Sequence, residues 1–144
     1  MRVLLLTLAL AWPAAVMAEV TVSETWARAS ILVSRPGAAY LTLRSDVADQ
    51  LVRIKSPAAA EVMIHAVETD AAAISRMMHL DRLTLEPDVP VTLAPGGMHL
   101  MLMGLTEKLE EGVTFPLTLS FQKAGDVSVE VPVLSPGASG PEVE

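Results

Sequence analysis

The strongest structural signal in the chain is the sequence LAPGGMHLMLMGL at residues 93–105. After its Pro-Gly-Gly turn, His99, Met101 and Met103 alternate with leucines. Successive side chains of a β-strand point to opposite faces, so this alternation predicts a strand with an apolar leucine face. The other face carries one imidazole and two thioethers. This segment therefore predicts both a strand and a set of metal donors.

The same two-residue period recurs along the rest of the chain, interrupted by turn residues. The runs that predict strands are residues 21–26, 39–44, 91–93, 99–103 and 117–121. Residues 115–123 and 126–133, joined through Ala124 and Gly125, predict a hairpin. Many short strands at this spacing predict a single all-β domain with the architecture of an antiparallel β-sandwich.

Residues 57–79 allow two interpretations. A Ser-Pro start at residues 56–57 and the alanines at 71–73 favour a single helix. However, residues 62–67 are apolar on both alternating faces, which is more typical of a buried strand. We therefore predict a short helical turn near residues 57–60, a strand, a turn at Thr69-Asp70, and a return strand over residues 74–80.

Residues 1–18 have the pattern of a cleavable signal peptide. A basic residue precedes an apolar run that is too short to span a bilayer, and the segment ends in a small residue, Ala18. The alternative is an N-terminal membrane anchor. We predict cleavage after Ala18, a periplasmic location, and a protein that is not membrane-embedded after cleavage. The domain would cover residues 19–134, followed by a disordered Pro/Gly/Ser-rich tail at residues 135–144.

The composition excludes several classes of function. A net charge of −7 and only 3% aromatic residues argue against nucleic-acid binding. The chain has no cysteine, which excludes a thiolate blue-copper site, a CxxC redox pair, a zinc ribbon and disulfides. The sequence has neither a nucleophile elbow nor an HExxH motif, so we expect no enzymatic activity.

All three histidines, and every methionine after residue 18, fall within residues 63–103. They are Met63, His65, Met77, Met78, His79, Met98, His99, Met101 and Met103. Thioethers are soft ligands that suit Cu(I), and imidazole suits copper in either oxidation state. The alternative is that the methionines fill core gaps and the histidines lie at the surface. His79 could be a spare ligand, but we assign it to the surface. Met98 and Met103 could help to capture or shield copper, but we assign them to packing; the residue types alone leave the metal and packing interpretations open.

Several motifs, taken together, are similar to those of a known family. They are Trp26-Ala-Arg28, GAAYLTL at residues 37–43, SPA at residues 56–58, the His65 segment and the run at residues 93–105. The chain resembles the periplasmic copper chaperones of the PCu(A)C type. The resemblance implies a cupredoxin-like or immunoglobulin-like antiparallel sandwich with copper near one edge. The ligands that it implies for one Cu(I) per chain are His65, Met77, His99 and Met101.

One spacing departs from the family pattern. The family has ten residues between its first His and Met, whereas eleven separate His65 from Met77. Strict counting would put Arg76 in the ligand position, and a guanidinium does not bind copper. A one-residue insertion in the turn around residues 68–73 restores Met77. In a different register, Met78 or Met63 would take its place.

The resemblance also implies a function. The protein would deliver Cu(I) by ligand exchange for assembly of the CuA centre of cytochrome c oxidase. Its relay partners would be oxidase subunit II and a Sco-type thiol protein. Two alternatives stay open: periplasmic copper buffering or resistance, and an exported interaction domain that binds no metal.

Overall fold

The structure, a computed structural model, describes residues 17–141, which form ten β-strands and no helix. The strands are β1 (Val20–Arg28), β2 (Gly37–Ser45), β3 (Asp49–Lys55), β4 (Ala59–Thr69), β5 (Ser75–Leu80), β6 (Leu83–Leu85), β7 (Val91–Leu93), β8 (His99–Leu105), β9 (Thr114–Phe121) and β10 (Gly125–Leu134). Most of the predicted signal peptide lies outside the described residues. Within them, no helix is long and apolar enough to cross a membrane.

The strands follow the order β5-β4-β8-β2-β1-β10-β9-β3-β6, with β7 also paired to β2. Strands β1 and β10 pair in parallel through Ala27 and Arg28 alone, and the sheet folds over at this junction into two layers. The other pairs of named strands are antiparallel. The predicted all-β antiparallel sandwich is therefore confirmed.

Leucines from both layers form the core between them. Leu100 and Leu102 of β8 have no exposed surface, and neither have Leu117 and Leu119 of β9. All four belong to one apolar cluster. Burying each such side chain contributes about 1.5–3 kcal/mol, so the leucine face of β8 is fixed inward. The alternate residues of that strand must then face outward.

Residues 57–60 and two strands differ from the sequence prediction. The chain makes a turn at residues 57–58, where the Ala59 N–H donates to Ser56 O at 3.4 Å, and β4 then begins at Ala59 without a helix. Strands β3 and β6 were not predicted. The pairing of β3 with β9 shifts register between Leu51 and Arg53, which breaks the two-residue period. Strand β6 has only three residues, too few to show a period.

The first residues of the C-terminal tail contact the sandwich. Ala138 N–H donates to Ser135 O at 3.1 Å, and Arg28 Nε donates to Ala138 O at 2.8 Å. Residues 142–144 lie outside the described part of the chain. Disorder of the tail stays a prediction.

Candidate metal centre

The three histidines form a row across three adjacent strands. Strand β4 lies between β5 and β8, and its His65 is directly opposite His79 on β5 and His99 on β8. The ring centroids of His65 and His99 are 5.7 Å apart, and those of His65 and His79 are 6.0 Å apart. Since their strand neighbours Ile64 and Leu100 are buried in the core, the row lies on the outer face of this layer.

Methionines lie on both sides of the histidine row. Met63 is paired with Met101 on one side, and Met77 is opposite Val67 on the other. We call this outer surface the donor face, formed by Met63, His65, Met77, His79, His99 and Met101. Met78 is opposite Ala66, so by the two-residue period it points to the other face of the sheet.

The structure brings three of the four predicted ligands close together. His65 and His99 are a direct cross-strand pair, and Met101 is two residues along β8 on the same face. Met77 is a diagonal neighbour of His65, and such neighbours have Cα atoms roughly 7–8 Å apart, which long side chains can bridge. Met77 and Met101 lie on opposite sides of β4, so they are separated by about 13 Å along the strands and by two strand spacings, about 9–10 Å, across them.

His99 is oriented by the turn that precedes it. Strands β7 and β8 lie end to end along β2, and residues 94–98 form the turn between them. The turn is closed by the Gly97 N–H, which donates to Ala94 O at 3.0 Å, and Gly96 adopts a φ of 83°. His99 Nδ1 is 3.0 Å from Gly97 O. When Nδ1–H donates to that carbonyl, the lone pair lies on Nε2, which is free for a metal.

His65, at the centre of the row, has a ring nitrogen with no hydrogen-bond partner among the described residues. This atom, Nδ1, is buried. Leaving such an atom unpaired costs about 1–3 kcal/mol. Burial lowers the pKa of His65 below its usual 6.5, and the neighbouring His99 and His79 lower it further. A neutral imidazole is the form that binds a metal, and the lowered pKa of His65 favours this neutral form.

His79 lies at the surface, as predicted, and it is also part of the row. Its side chain is 45% exposed, and its Nε2 lies 3.1 Å from Asp81 Oδ1. Its alignment with His65 follows from the hairpin register. The Asp70 carboxylate accepts hydrogen bonds from the Ala72 and Ile74 N–H groups, and this closes a turn placed symmetrically between the two histidines. A predicted turn centred on residue 72 would have revealed this pairing.

The donor set combines nitrogen with sulfur. Within residues 17–141, no three His, Cys, Asp or Glu side chains group together as a metal site. The histidines lie in a line, so a metal beside His65 and His99 would take its remaining ligands from the thioethers. Thioether sulfur with imidazole nitrogen suits Cu(I).

Comparison with known proteins identifies relatives of this chain. The family model described as "LpqE-like: Putative lipoprotein LpqE-like" matches residues 20–133. The putative lipoprotein Lxx21020 of Leifsonia xyli subsp. xyli (strain CTCB07) is 30% identical over 120 residues, which cover 79% of this chain and 69% of that protein.

Solved structures share the fold. The apo PCuAC domain of PmoF2 matches with a TM-score of 0.71 and 27% identity, over 85% of this chain and 94% of that domain. The copper-bound PCuAC domain of PmoF2 matches with a TM-score of 0.68 and 28% identity, over 81% of this chain and 93% of that domain. The solution structure of CuI-DR1885 from Deinococcus radiodurans matches with a TM-score of 0.59 and 30% identity, over 88% of this chain and 81% of that protein. The chain therefore belongs to the LpqE-like family and has the fold of the PCuAC-type copper-chaperone domains.

Proposed function

We propose that this protein is an exported Cu(I) carrier, which holds one Cu(I) as cargo on the donor face and releases it by ligand exchange. The observation that carries the proposal is the His65–His99 pair. Among the described residues, the buried His65 Nδ1 has no hydrogen-bond partner, and His99 Nδ1 lies 3.0 Å from Gly97 O, which leaves Nε2 free when Nδ1–H donates. The thioethers on either side supply soft donors. Neutral nitrogen and sulfur together favour Cu(I) over harder cations such as Mg²⁺ or Ca²⁺.

The exposure of the donor face suits transfer. His65, His99 and Met101 are half-buried, and Met77 is 57% exposed. Ligands of a partner can therefore approach from the open side while copper is still held. Thiolates are stronger soft ligands than thioethers, so a thiolate-rich acceptor would draw Cu(I) from this site. Such a relay requires no catalytic acid, base or nucleophile in this chain.

We take His65, Met77, His99 and Met101 as the ligands. The side chain of Met77 is the one that must move most, because it reaches the histidine pair diagonally from the edge strand β5. Its exposure leaves it free to do so. Met63, which lies directly across from Met101, is the alternative fourth ligand.

Copper in the relatives supports the choice of metal. The PmoF2 domain is described as copper-bound and DR1885 as its CuI form. We extend the proposal to periplasmic export through residues 1–18 and to delivery for the CuA centre of oxidase subunit II, with a Sco-type thiol protein as relay partner. These steps rest on the family resemblance. Although the family model and the Leifsonia relative are described as putative lipoproteins, these 144 residues contain no cysteine to carry a lipid.

An anaerobic Cu(I) titration of the purified protein against a chromogenic chelator tests the site. We expect one tightly bound equivalent, weakened on the order of tenfold or more in Met77→Leu. Met78→Leu, a methionine on the opposite face of the same strand, is the matched control and should leave the affinity unchanged. Weakening in Met63→Leu instead of Met77→Leu would move the fourth ligand to Met63. Failure of the wild type to compete would overturn the copper proposal.

Delivery is tested separately. The Cu(I)-loaded protein is mixed with the apo CuA domain of subunit II, the two are separated, and copper is counted on each. We expect copper on the CuA domain, and little on the same domain with its copper-binding cysteines replaced. Retention of copper on this protein in both mixtures would leave a copper carrier but contradict this recipient.

A further inference from the structure

We infer that His79 is a copper ligand: with Met77 and His65 it forms an edge position, next to the main site, through which Cu(I) enters and leaves. The inference rests on the proposed function and adds a second place for the same cargo. The two positions share His65 and Met77. They differ in that His99 and Met101 complete the main site, whereas His79 completes the edge position.

The geometry of the two sides of His65 is closely matched. His65 is directly opposite His79 on one side and His99 on the other, with ring-centroid distances of 6.0 Å and 5.7 Å. Strand β8 presents His99 and Met101 two residues apart on one face. Strand β5 presents Met77 and His79 in the same way. Each of the two strands that flank β4 thus offers one imidazole and one thioether beside the shared His65.

The hydrogen bonding of His79 also matches that of a metal ligand. Its Nε2 lies 3.1 Å from Asp81 Oδ1. When Nε2–H donates to this carboxylate, the lone pair lies on Nδ1, where it can bind a metal. Asp81 is 93% exposed, so this contact contributes little to the stability of the fold.

The order of exposure gives the edge position its role. β5 is the outermost strand of its layer, and the side chains of Met77 and His79 are both exposed, whereas those of His65 and His99 are half-buried. A partner's thiolate therefore meets the edge position first. Copper moves outward when its bonds to His99 Nε2 and the Met101 sulfur break and a bond to His79 forms. Copper stays Cu(I) throughout, so the step requires no oxidant or reductant.

The test removes the main site and looks for what is left. A His99→Ala/Met101→Leu variant should keep one weaker Cu(I) equivalent, and adding His79→Gln should abolish that residual binding. Adding His79→Met should preserve it, because a thioether replaces the imidazole as a soft donor. Adding Met78→Leu, on the opposite face, is the control and should also preserve it. Histidine-ring NMR signals of His79 should shift when Cu(I) is added to the double variant.

The outcomes separate this inference from the proposed function. If the wild type binds Cu(I) tightly but the residual binding is absent or indifferent to His79→Gln, the edge position is wrong and the main site stands. If the wild type fails to bind Cu(I), the proposed function is wrong, and the edge position is wrong with it. In the otherwise unchanged protein, His79→Gln should slow Cu(I) transfer to a chelator more than it weakens equilibrium affinity. An unchanged transfer rate would overturn the role in entry and exit.

Discussion

The inner and outer faces of β4 and β8 belong to the same strands but have opposite chemistry. On β8, Leu100 and Leu102 are completely buried. His99 and Met101, which alternate with them along the strand, are half-buried on the outer side. The leucines belong to the apolar core cluster, and the outward residues carry the donors. Alternate positions of one strand therefore encode the fold and the site separately. Substitutions on one face should change one property and leave the other intact.

The largest effect should come from the inner face. Leu102→Ala removes a fully buried side chain, and we expect the free energy of unfolding to fall by about 2–5 kcal/mol. The Cu(I) affinity of the folded protein should stay close to that of the wild type. Denaturant unfolding, together with Cu(I) titration under native conditions, measures both. A large loss of affinity in a variant that is still folded would show that the two faces are coupled.

The reverse result is expected on the outer face. His99→Ala should lower Cu(I) affinity at least about a hundredfold, since loss of a ligand costs no less than loss of its supporting hydrogen bonds. The free energy of unfolding should change by less than about 1 kcal/mol, because no core contact is lost. Competition titration and denaturant unfolding of this variant provide the measurement. Unchanged affinity would remove His99 from the ligand set.

An intermediate effect is expected in the turn that holds His99. Gly96 has a φ of 83°, so Gly96→Ala should destabilise the protein by about 1–2 kcal/mol and weaken Cu(I) binding by disturbing the Gly97 carbonyl. Gly97→Ala is the matched control, since its added Cβ would meet only Ala94 O at 3.6 Å. Thermal unfolding of both variants tests this. Equal losses would mean that the conformation of Gly96 is not what matters.

The smallest effect concerns pH. Since the pKa of His65 is lowered from 6.5 by burial and by its histidine neighbours, the unfolded chain takes up a proton there before the folded protein does. The free energy of unfolding of the apo protein should therefore fall as pH drops below about 6.5. His65→Gln should reduce this dependence. Denaturant unfolding between about pH 5 and pH 7.5 covers the unperturbed histidine pKa. An identical slope in both proteins would contradict this assignment.

Sequence alone predicted the features that depend on local alternation. The outward side of β8, the β9–β10 hairpin and the all-β class follow from the two-residue period. Features that depend on the pairing of strands distant in sequence could not be predicted from the two-residue period. The row His79–His65–His99 requires both neighbours of β4 and their registers. The diagonal placement of Met77 has the same cause, and so does the parallel junction of β1 with β10.

X-ray absorption spectroscopy of the anaerobically loaded Cu(I) protein tests the central claim most directly, because it counts the atoms around the metal. The donor face predicts nitrogen and sulfur together in the first shell, with two imidazole and two thioether ligands. In His99→Ala the nitrogen contribution should decrease while sulfur remains. A shell of nitrogen and oxygen without sulfur would contradict the account, since copper would then lie away from the methionines of the donor face.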